Sequence, residues 1–500
     1  MDNIVRFGTE YGGFYYPENL DGLDENSIVY CIGAGEDISH DIMVANKLNC
    51  KVYIMDPTPR AIEHYNLVKD VFEGKQALVY SKSIGGGQPM EYWNILMKHK
   101  IPVDNMVYKE YGIGADEGTH KFYLPSNKEY VSCSLVEGMK SSEYININVK
   151  KLKSVMDELG HNKIDLLKMD IEGSECDVIE NMLKEEIYPK YLAVEFDLGF
   201  NGENIRDVER CNKMIQKLIE NNYELIYQNH SDFTFVHYLY YEGRPHGLGN
   251  RLEEIVKLEA YASKYNYLVD YYWNNSIEDF MWNNHIVRAN FDVNFRCKLI
   301  NIIENKKNKD IFELDKINLL QKDILNAGKN IQPLFNIKFK NNIKPIGIHI
   351  RGTDRINEGK HNMSLDYFNK LFIKIINIVN ENNYEYIFIC SENNYYKEEL
   401  KKNLNKNIKI IEPIIENIDK NNDIIDLFSL SLCSKIYLCS KFSSYSIIAS
   451  LIGNIPITCN YDELYENEIK DRYKALIEYL PNIYPGKIRT DEGHFNCESF

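Results

Sequence analysis

The stretch KIDLLKMDIEGSECDVIENML (residues 163–183) joins a short apolar run to a longer amphipathic one. IDLLKMD (164–170) has the length and apolar content of a buried strand, and CDVIENML (176–183) has the apolar spacing of a helix. A second apolar run, YLAVEFD (191–197), follows. Strands that alternate with helices favour a parallel sheet with helices on both faces. The stretch therefore predicts an α/β fold.

The same alternation covers two parts of the chain. Strand patterns at 27–35 and 51–56 precede helical patterns in the first part, which ends near residue 240. Later strand patterns, KPIGIHIRG (344–352) and KIYLCS (435–440), belong to a second series. A length of 500 residues suits two or three domains at about 150 residues each. We predict one domain over 1–240 and another over 241–500.

Composition and charge narrow the function classes. The formal net charge is −16, which argues against a general nucleic-acid binder because such proteins present a basic surface. The 11 cysteines are scattered without a CxxC pair, which is typical of a reducing compartment rather than of a disulfide framework or a zinc site. The first residues lack a basic region followed by an apolar run, and no stretch approaches the ~18 apolar residues of a membrane span. We expect a cytoplasmic protein.

A glycine turn, CIGAGED (31–37), follows the first strand pattern. Gly33 and Gly35 permit a tight turn and a close backbone approach to a ligand. The next strand pattern ends at Asp56, whose carboxylate is placed to accept hydrogen bonds from ribose hydroxyls. Such a turn alone is weak evidence, and the acidic residue strengthens it.

The run KMDIEGSE (168–175), preceded by MDELG (156–160) and followed by VEFD (194–197), resembles the FkbM family of S-adenosylmethionine-dependent methyltransferases. The resemblance covers roughly residues 25–240. It implies a Rossmann-like class I methyltransferase domain that transfers a methyl group to an oxygen, often on a sugar. It further implies a set of cofactor-binding residues: Gly33, Gly35, Asp37 and Asp56.

Asp170 and Glu172 are the predicted catalytic residues of this domain. Methylation of a hydroxyl needs alignment and a base that takes the proton, and either carboxylate can serve as that base or orient the acceptor. Glu195, at the next strand end, is a further candidate. The alternative is structural: Asp170 caps the following helix, and Glu172 lies in its first turn, where acidic residues are favoured.

Three motifs in the second part form an ordered set. They are GLGN (247–250), which predicts a glycine turn before a helix, the strand-end run GIHIRGTDR (347–355), and FSS (442–444) before a helical pattern. The set resembles GDP-fucose-dependent fucosyltransferases of the alpha-1,2, alpha-1,6 and protein O-fucosyltransferase superfamily, over about 243–460. The resemblance implies a GT-B-type glycosyltransferase with two Rossmann-like halves, about 243–335 and 340–460, followed by a C-terminal tail at 461–500.

The chemistry of a sugar transferase explains these residue types. Negative charge grows on the departing diphosphate, and a fixed guanidinium at Arg351 neutralises it without a metal ion. Hydroxyls of Ser443 and Ser444 and the free N–H groups of the following helix bind the same phosphates. The alternative is that Arg351 forms a structural ion pair with Asp354. The predicted donor-binding residues are Gly249, Asn250, His349, Arg351, Asp354, Glu392, Asp426, Ser443 and Ser444.

The two resemblances lead to a bifunctional glycan-modifying enzyme. Its first domain O-methylates a sugar hydroxyl with S-adenosylmethionine, and its second is an inverting transferase of fucose from GDP-fucose to a glycan or glycoconjugate acceptor. One alternative is a fucosyltransferase whose first domain is a scaffold or ligand-binding module. Another is a glycan-binding protein with two inactive enzyme folds. We expect no metal at either site and no nucleic-acid partner, and the sequence leaves the oligomeric state open.

Overall fold

A computed structural model of the chain describes residues 3–77, 89–127, 130–137, 141–197, 205–242, 248–272, 287–289, 293–296, 327–328, 331–333, 335–351, 364–416, 422–440 and 443–458. The chain divides into two compact units. Unit 1 comprises Met1–Leu239 and Tyr265–Leu268, and unit 2 comprises Tyr240–Lys264 and Val269–Phe500. Within the described ranges, none of the helices has the length and apolar character needed to cross a membrane.

Unit 1 contains twelve strands and six helices among its described residues. The strands are β1 (Ile4–Phe7), β2 (Phe14–Pro17), β3 (Val29–Ile32), β4 (Val52–Met55), β5 (Met106–Lys109), β6 (Gly112–Ile113), β7 (Gly118–Tyr123), β8 (Tyr144–Lys150), β9 (Leu166–Met169), β10 (Tyr191–Glu195), β11 (Tyr223–Asn229) and β12 (Asp232–Glu242). The helices are α1 (Ser39–Leu48), α2 (Pro59–Phe72), α3 (Pro89–Lys98), α4 (Leu152–Leu159), α5 (Glu175–Lys184) and α6 (Ile205–Glu220).

The main sheet of unit 1 has the strand order β11-β12-β10-β9-β3-β4-β5. Strands β10, β9, β3, β4 and β5 are parallel, whereas β12 runs antiparallel to both β10 and β11. Strand β3 is buried on both faces, with Val29 and Cys31 in one apolar cluster and Tyr30 and Ile32 in the other. Two-sided burial explains why this strand is apolar without alternation. The carboxyl ends of the parallel strands meet at one edge, where doubly wound sheets bind ligands.

The elements from residue 248 onward are shorter. The strands are β13 (Leu268–Tyr272), β14 (Val287–Ala289), β15 (Val293–Arg296), β16 (Ile331–Pro333), β17 (Asn336–Lys338), β18 (Ile346–Ile350), β19 (Tyr386–Ser391), β20 (Lys409–Ile410), β21 (Ile414–Glu416), β22 (Lys435–Cys439) and β23 (Ile457–Thr458). The helices are α7 (Leu248–Tyr265), α8 (Leu365–Glu381), α9 (Asn394–Asn403), α10 (Asn422–Ser431) and α11 (Ser444–Gly453).

Unit 2 has a five-stranded sheet in the order β20-β19-β18-β22-β23. Every neighbouring pair in it is parallel. Its central strand, β18, is buried along its whole length, and α8 closes one face with an apolar stripe that includes Phe368, Leu371 and Ile375. The carboxyl ends of β18, β19 and β22 therefore lie at a common edge of this sheet.

The α/β prediction is confirmed. The GT-B arrangement stays a prediction, because most of the half expected at 243–335 and all of the tail at 461–500 lie outside the described residues. One local expectation needs correction: GLGN was expected to be a turn that precedes a helix, whereas α7 already begins at Leu248. Gly249 suits this position because a Cβ there would lie 2.5 Å from the backbone nitrogen of Tyr445.

Candidate active sites

A cavity of about 550 Å³ opens at the carboxyl edge of the unit 1 sheet. Its walls come from the ends of β3, β4, β9 and β10, together with the segments 10–12 and 131–135. The residues predicted from the sequence that line it are Gly33, Gly35, Asp37, Asp56, Asp170, Glu172 and Glu195. The fold thus brings all the sites predicted for the first domain into one cavity.

Gly33 is required by the backbone around it. Its φ is +78°, and a Cβ placed there would lie 1.7 Å from the carbonyl oxygen of Asp170. Gly35 also has a positive φ, +50°. No other residue type permits both the left-handed conformation and the close approach of two strand ends. The turn therefore leaves an open backbone cradle beside Asp170.

Asp56 holds the glycine turn in place. Its Oδ2 accepts hydrogen bonds of 2.9 Å from the backbone N–H groups of Ala34 and Gly35. Its Oδ1 accepts from the N–H and the hydroxyl of Thr58, at 2.8 and 2.7 Å. The predicted contact with ribose hydroxyls would have to share a carboxylate that the protein already uses in four hydrogen bonds.

Asp37 is likewise engaged in the protein's own structure. It is buried, and its two oxygens accept hydrogen bonds from the Thr9 hydroxyl, at 2.5 Å, and from the Ser39 N–H, at 2.8 Å. These bonds connect the segment after β1 to the start of α1. Asp37 lines the cavity, yet its visible role is to fix the wall rather than to reach into the site.

The structural alternative for Asp170 and Glu172 is not what the structure shows. The residue at the N-cap position of α5 is Ser174, four residues beyond Asp170. The free N–H groups of Ile171 and Gly173 donate instead to the carboxylate of Glu175. Neither predicted catalytic carboxylate is the N-cap residue of α5, and both line the cavity.

Glu172 has a left-handed backbone conformation, with φ of +58°. The hydroxyl of Ser134 donates a 2.6 Å hydrogen bond to its carbonyl oxygen, which helps to hold that conformation. A non-glycine residue in this region costs on the order of 1 kcal/mol or more and is found preferentially at functional sites. The strain supports a functional role for the loop that carries Glu172.

The strand-end carboxyl groups raise one another's pKa. Burial, followed by the charges of Asp170 and Asp232, raises the pKa of Glu195 to about 8. Burial, with a contribution from Glu172, also raises the pKa of Asp170, although Lys168 opposes this shift. A base whose pKa lies near neutrality is well suited to exchange a proton with a hydroxyl. Glu195 was only a further candidate in the sequence, and its environment makes it as good a base as Asp170.

Lys168 is a site residue that the sequence reasoning missed. Its side chain is 5% exposed, and its Nζ lies 3.6 Å from Asp170 Oδ2. Nζ also donates a hydrogen bond to the carbonyl oxygen of Gly33. Burial opposes the charge, yet Asp170 and Asp41 keep the pKa of Lys168 above its ordinary value. Its position in an apolar strand, two residues before Asp170, was the signal that would have found it.

Two groups of side chains in unit 1 have the composition of metal ligands. Oxygens of Asp170, Glu172 and Asp197 lie within 4.8 Å of one another at the cavity wall, and ligand atoms of Cys31, His40 and Asp41 do so in the core. The second group already contains a 2.9 Å hydrogen bond between His40 and Tyr16. A divalent cation would suit the first group, and the expectation of no metal stays a prediction.

In unit 2, the three predicted motifs meet at the start of α11. His349 Nδ1, on β18, lies 2.5 Å from the hydroxyl of Ser446. A Cβ on Gly249 would lie 2.5 Å from the backbone nitrogen of Tyr445, so the first turn of α7 contacts that of α11. Residues about 100 and 200 positions apart in the sequence are therefore brought to a single helix N-terminus.

Ser443 precedes α11 at its N-cap position, and Ser444 is the first helical residue. Both side chains are buried. Ser443 does not cap the helix, and its hydroxyl has no hydrogen-bond partner among the described residues. Buried hydroxyls are normally satisfied, and a helix N-terminus attracts anions. The arrangement is therefore suited to an anion.

The remaining donor-binding predictions divide by position. Arg351 is half-buried and follows β18 directly, and Glu392 is exposed after β19. Burial, followed by the charge of Asp426 on α10, raises the pKa of Cys390. Cys390 lies on β19, where it pairs with His349 of β18, so Asp426 lies close to this part of the sheet. Asn250 is half-buried in the first turn of α7. Asp354 lies outside the described residues.

Comparison with known proteins finds a short match to two methyltransferase-like proteins. Two relatives, named probable methyltransferase-like protein 24 in Rattus norvegicus and in Homo sapiens, are each 39% identical over 51 residues. The match covers 10% of this chain and 14% of each relative, so the chain spans about a seventh of their length.

Fucosyltransferases are among the solved structures with detectable similarity. A NodZ alpha-1,6-fucosyltransferase soaked with GDP-fucose has a TM-score of 0.28 and 14% identity, and covers 45% of this chain and 95% of its own. The fucosyltransferase NodZ from Bradyrhizobium has a TM-score of 0.27 and 13% identity, with shares of 44% and 95%.

A family model matches part of unit 1. The model of the methyltransferase FkbM domain matches residues 43–225. That range contains Asp56, Asp170, Glu172 and Glu195 and lies within the resemblance predicted at 25–240, which is thereby confirmed. Residues 43–225 are thus similar to a methyltransferase FkbM domain, and the candidate active site of unit 1 is the cavity at the carboxyl edge of its sheet.

Proposed function

We propose that the protein is a bifunctional glycan-modifying transferase. Unit 1 methylates a sugar hydroxyl with S-adenosylmethionine, and unit 2 transfers fucose from GDP-fucose to a glycan or glycoconjugate acceptor. The observation that carries the proposal is that the residues predicted for unit 1 line one cavity at the carboxyl edge of its sheet, and that His349, Gly249 and Ser443 of unit 2 lie together at the start of α11. We further propose that the protein acts in the cytoplasm.

The residues of the unit 1 cavity fit S-adenosylmethionine. The open backbone at Gly33 and Gly35 permits close approach of the ligand, and the volume of about 550 Å³ is in the usual range for small-molecule sites. Carboxylates at the strand ends favour a positively charged ligand. When bound, S-adenosylmethionine supplies an electrophilic methyl group: the acceptor oxygen bonds to the methyl carbon, the carbon–sulfur bond breaks with its electron pair left on sulfur, and the hydroxyl proton goes to a carboxylate.

Within unit 1, the division of roles follows from position and pKa. Asp170 and Glu195 are the proton acceptors, because their raised pKa values match the work of a base near neutrality. Lys168 holds Asp170 and the glycine turn at a fixed separation. Glu172, on a strained loop, orients the acceptor.

In unit 2, the diphosphate of the donor binds at the start of α11. The N–H groups of the first helical turn and the Ser443 hydroxyl contact the phosphates. Arg351 stabilises the negative charge that develops as the sugar–oxygen bond breaks, so that no metal ion is needed. The hydrogen bond between His349 and Ser446 fixes the helix relative to the strand end.

One observation favours a second candidate function. Asp56, the residue predicted to bind ribose, is already used in four hydrogen bonds within the glycine turn. This supports a fucosyltransferase in which unit 1 is a scaffold or binds another ligand. Calorimetry with S-adenosylmethionine separates the two candidates: heat of binding at micromolar ligand supports methyl transfer, and none at high concentration supports the scaffold.

The proposed activities are tested by a donor screen with mass spectrometric detection. GDP-fucose, GDP-mannose and UDP-sugars are offered with simple glycan acceptors, with and without S-adenosylmethionine. We expect a deoxyhexose increment with GDP-fucose, and a further methyl increment only when S-adenosylmethionine is present. The absence of any sugar increment with all donors would contradict the assignment of unit 2.

A further inference from the structure

The unit 1 cavity contains a large excess of acidic over basic side chains. Eight acidic residues line it: Glu10, Glu36, Asp37, Asp56, Asp170, Glu172, Glu195 and Asp197. Among the described lining residues, Lys168 is the one basic side chain. Walls of one sign concentrate the field in a cleft and attract ligands of the opposite sign.

Two described basic side chains at or beside the cavity, Lys168 and Arg60, are used by the protein itself. Lys168 Nζ is bound to the Gly33 carbonyl and lies 3.6 Å from Asp170 Oδ2. Arg60, beside the cavity, pairs with both carboxylate oxygens of Glu36, at 3.0 and 2.7 Å. A phosphate that entered the cavity would have to displace a carboxylate to reach either cation.

The raised pKa of Tyr11 is consistent with a negative electrostatic potential inside the cavity. Burial, followed by the charges of Asp170 and Glu172, raises the pKa of the Tyr11 hydroxyl to about 12. The carboxyl groups that carry raised pKa values, such as Glu195, are neutral when protonated and negative when ionised. Neither form supplies positive charge to an anionic acceptor.

We propose that the methyl acceptor of unit 1 is a neutral or amine-bearing sugar without a phosphate group. A sugar still attached to a nucleoside diphosphate is therefore excluded from the cavity. Glycosyl transfer, which releases the diphosphate, is the class of reaction that supplies this acceptor, so methylation follows sugar transfer. The inference rests on the proposed O-methylation by unit 1.

The test compares methyl fucoside, which is neutral, with fucose 1-phosphate and GDP-fucose on the full-length protein. Methyl incorporation is measured by mass spectrometry with S-adenosylmethionine. Sugar binding is measured by saturation-transfer NMR with S-adenosylhomocysteine, with excess GDP present to occupy unit 2. We expect methyl fucoside to bind and to be methylated at least about tenfold faster than either phosphate, since a phosphate is repelled by carboxylates of the same charge.

A charge-reversal pair tests the electrostatic origin. Glu10→Lys places a cation at the cavity wall and should reduce the discrimination against fucose 1-phosphate about three- to tenfold. Glu63→Lys makes the same change at an exposed position of α2 outside the cavity and should leave it unchanged. Equal discrimination in wild type and Glu10→Lys would overturn the electrostatic origin.

The outcomes distinguish the inference from the function on which it rests. Methylation of fucose 1-phosphate or GDP-fucose at the rate of methyl fucoside, with EDTA or with Mg²⁺, overturns the inference and leaves O-methylation standing. Methylation of methyl fucoside alone supports both. If S-adenosylmethionine binds but no sugar is methylated, the proposed sugar O-methylation fails, and the inference fails with it.

Discussion

The two units place their candidate sites at the carboxyl ends of parallel strands but surround them with opposite chemistry. In unit 1, Asp170 follows β9 directly and Glu195 ends β10, and both suit a cationic ligand. In unit 2, β18 ends beside His349 and Arg351, and Ser443 opens the adjacent helix, which suits an anion. The carboxyl edge of the sheet fixes where a ligand binds. The residues just beyond the strands decide its charge.

Removal of Arg351 should have the largest effect. Arg351→Ala removes the guanidinium that is proposed to stabilise the leaving diphosphate, and we expect kcat for sugar transfer to fall by about 10²–10³. Methyl transfer should be unchanged. Initial rates of both reactions on the same preparation measure this. The control is Lys340→Ala, which removes a cation from an exposed position of unit 2; an equal loss in both variants would contradict the assigned role.

Asp170→Asn should produce the reverse pattern. The amide keeps the shape but cannot accept the hydroxyl proton, so we expect methyl transfer to fall by about 10²-fold or more while sugar transfer is retained. The pH–rate profile supplies a second readout. If Asp170 only supports the fold, the variant will lose thermal stability and cofactor binding together, with no change in the shape of the profile.

A pair of glycines tests the cradle by stability. Gly33 and Gly74 have similar φ values, +78° and +73°, but a Cβ meets the Asp170 carbonyl at 1.7 Å in the first and nothing within 4 Å in the second. Gly74→Ala should cost only the left-handed strain, about 1–2 kcal/mol. Gly33→Ala adds a steric conflict and should cost at least about 3 kcal/mol in total. Urea unfolding measures both, and equal costs would contradict the close approach.

A smaller effect is expected from pH: a rise in pH should strengthen the binding of S-adenosylmethionine to unit 1 but not the binding of GDP to unit 2. The pKa of Glu195 is raised to about 8, and that of Asp170 is also raised, both first by burial. These groups carry protons at low pH and ionise as the pH increases, which strengthens attraction to a sulfonium cation. Between about pH 6 and pH 9, we expect the Kd of S-adenosylmethionine to fall about tenfold.

S-adenosylhomocysteine is the control for that titration, because it keeps the amino and carboxyl groups and lacks the sulfonium charge. Its Kd should change less over the same range. GDP binding to unit 2 should not tighten as pH increases. Parallel curves for the two cofactor forms in calorimetry would show that the strand-end carboxyls do not contact the sulfonium.

The sequence was sufficient to predict the site residues that directly follow strands. Asp170 and Glu172 follow a recognisable apolar run, and the structure brings them to the cavity with Gly33. His349 and Ser446 were farther apart in sequence, and only the order of motifs suggested that their segments belong together.

The rest depends on tertiary contacts that no local pattern carries. Three contacts illustrate this: Asp56 accepts hydrogen bonds from the glycine turn, Lys168 is buried beside Asp170, and the Ser134 hydroxyl donates to the Glu172 carbonyl oxygen. Propensity and spacing describe neighbours along a chain. They do not describe which oxygen a buried group will meet, so the charge balance of the cavity had to come from the structure.

Hydrogen–deuterium exchange with each ligand in turn tests the central claim most directly. S-adenosylmethionine should protect backbone amides at 31–37 and 168–175 and leave the start of α11 unchanged. GDP should protect 443–448 and the end of β18 and leave the unit 1 cavity unchanged. Protection of the unit 1 cavity by GDP, or of α11 by S-adenosylmethionine, would contradict the assignment of opposite charge preferences to the two sheet edges.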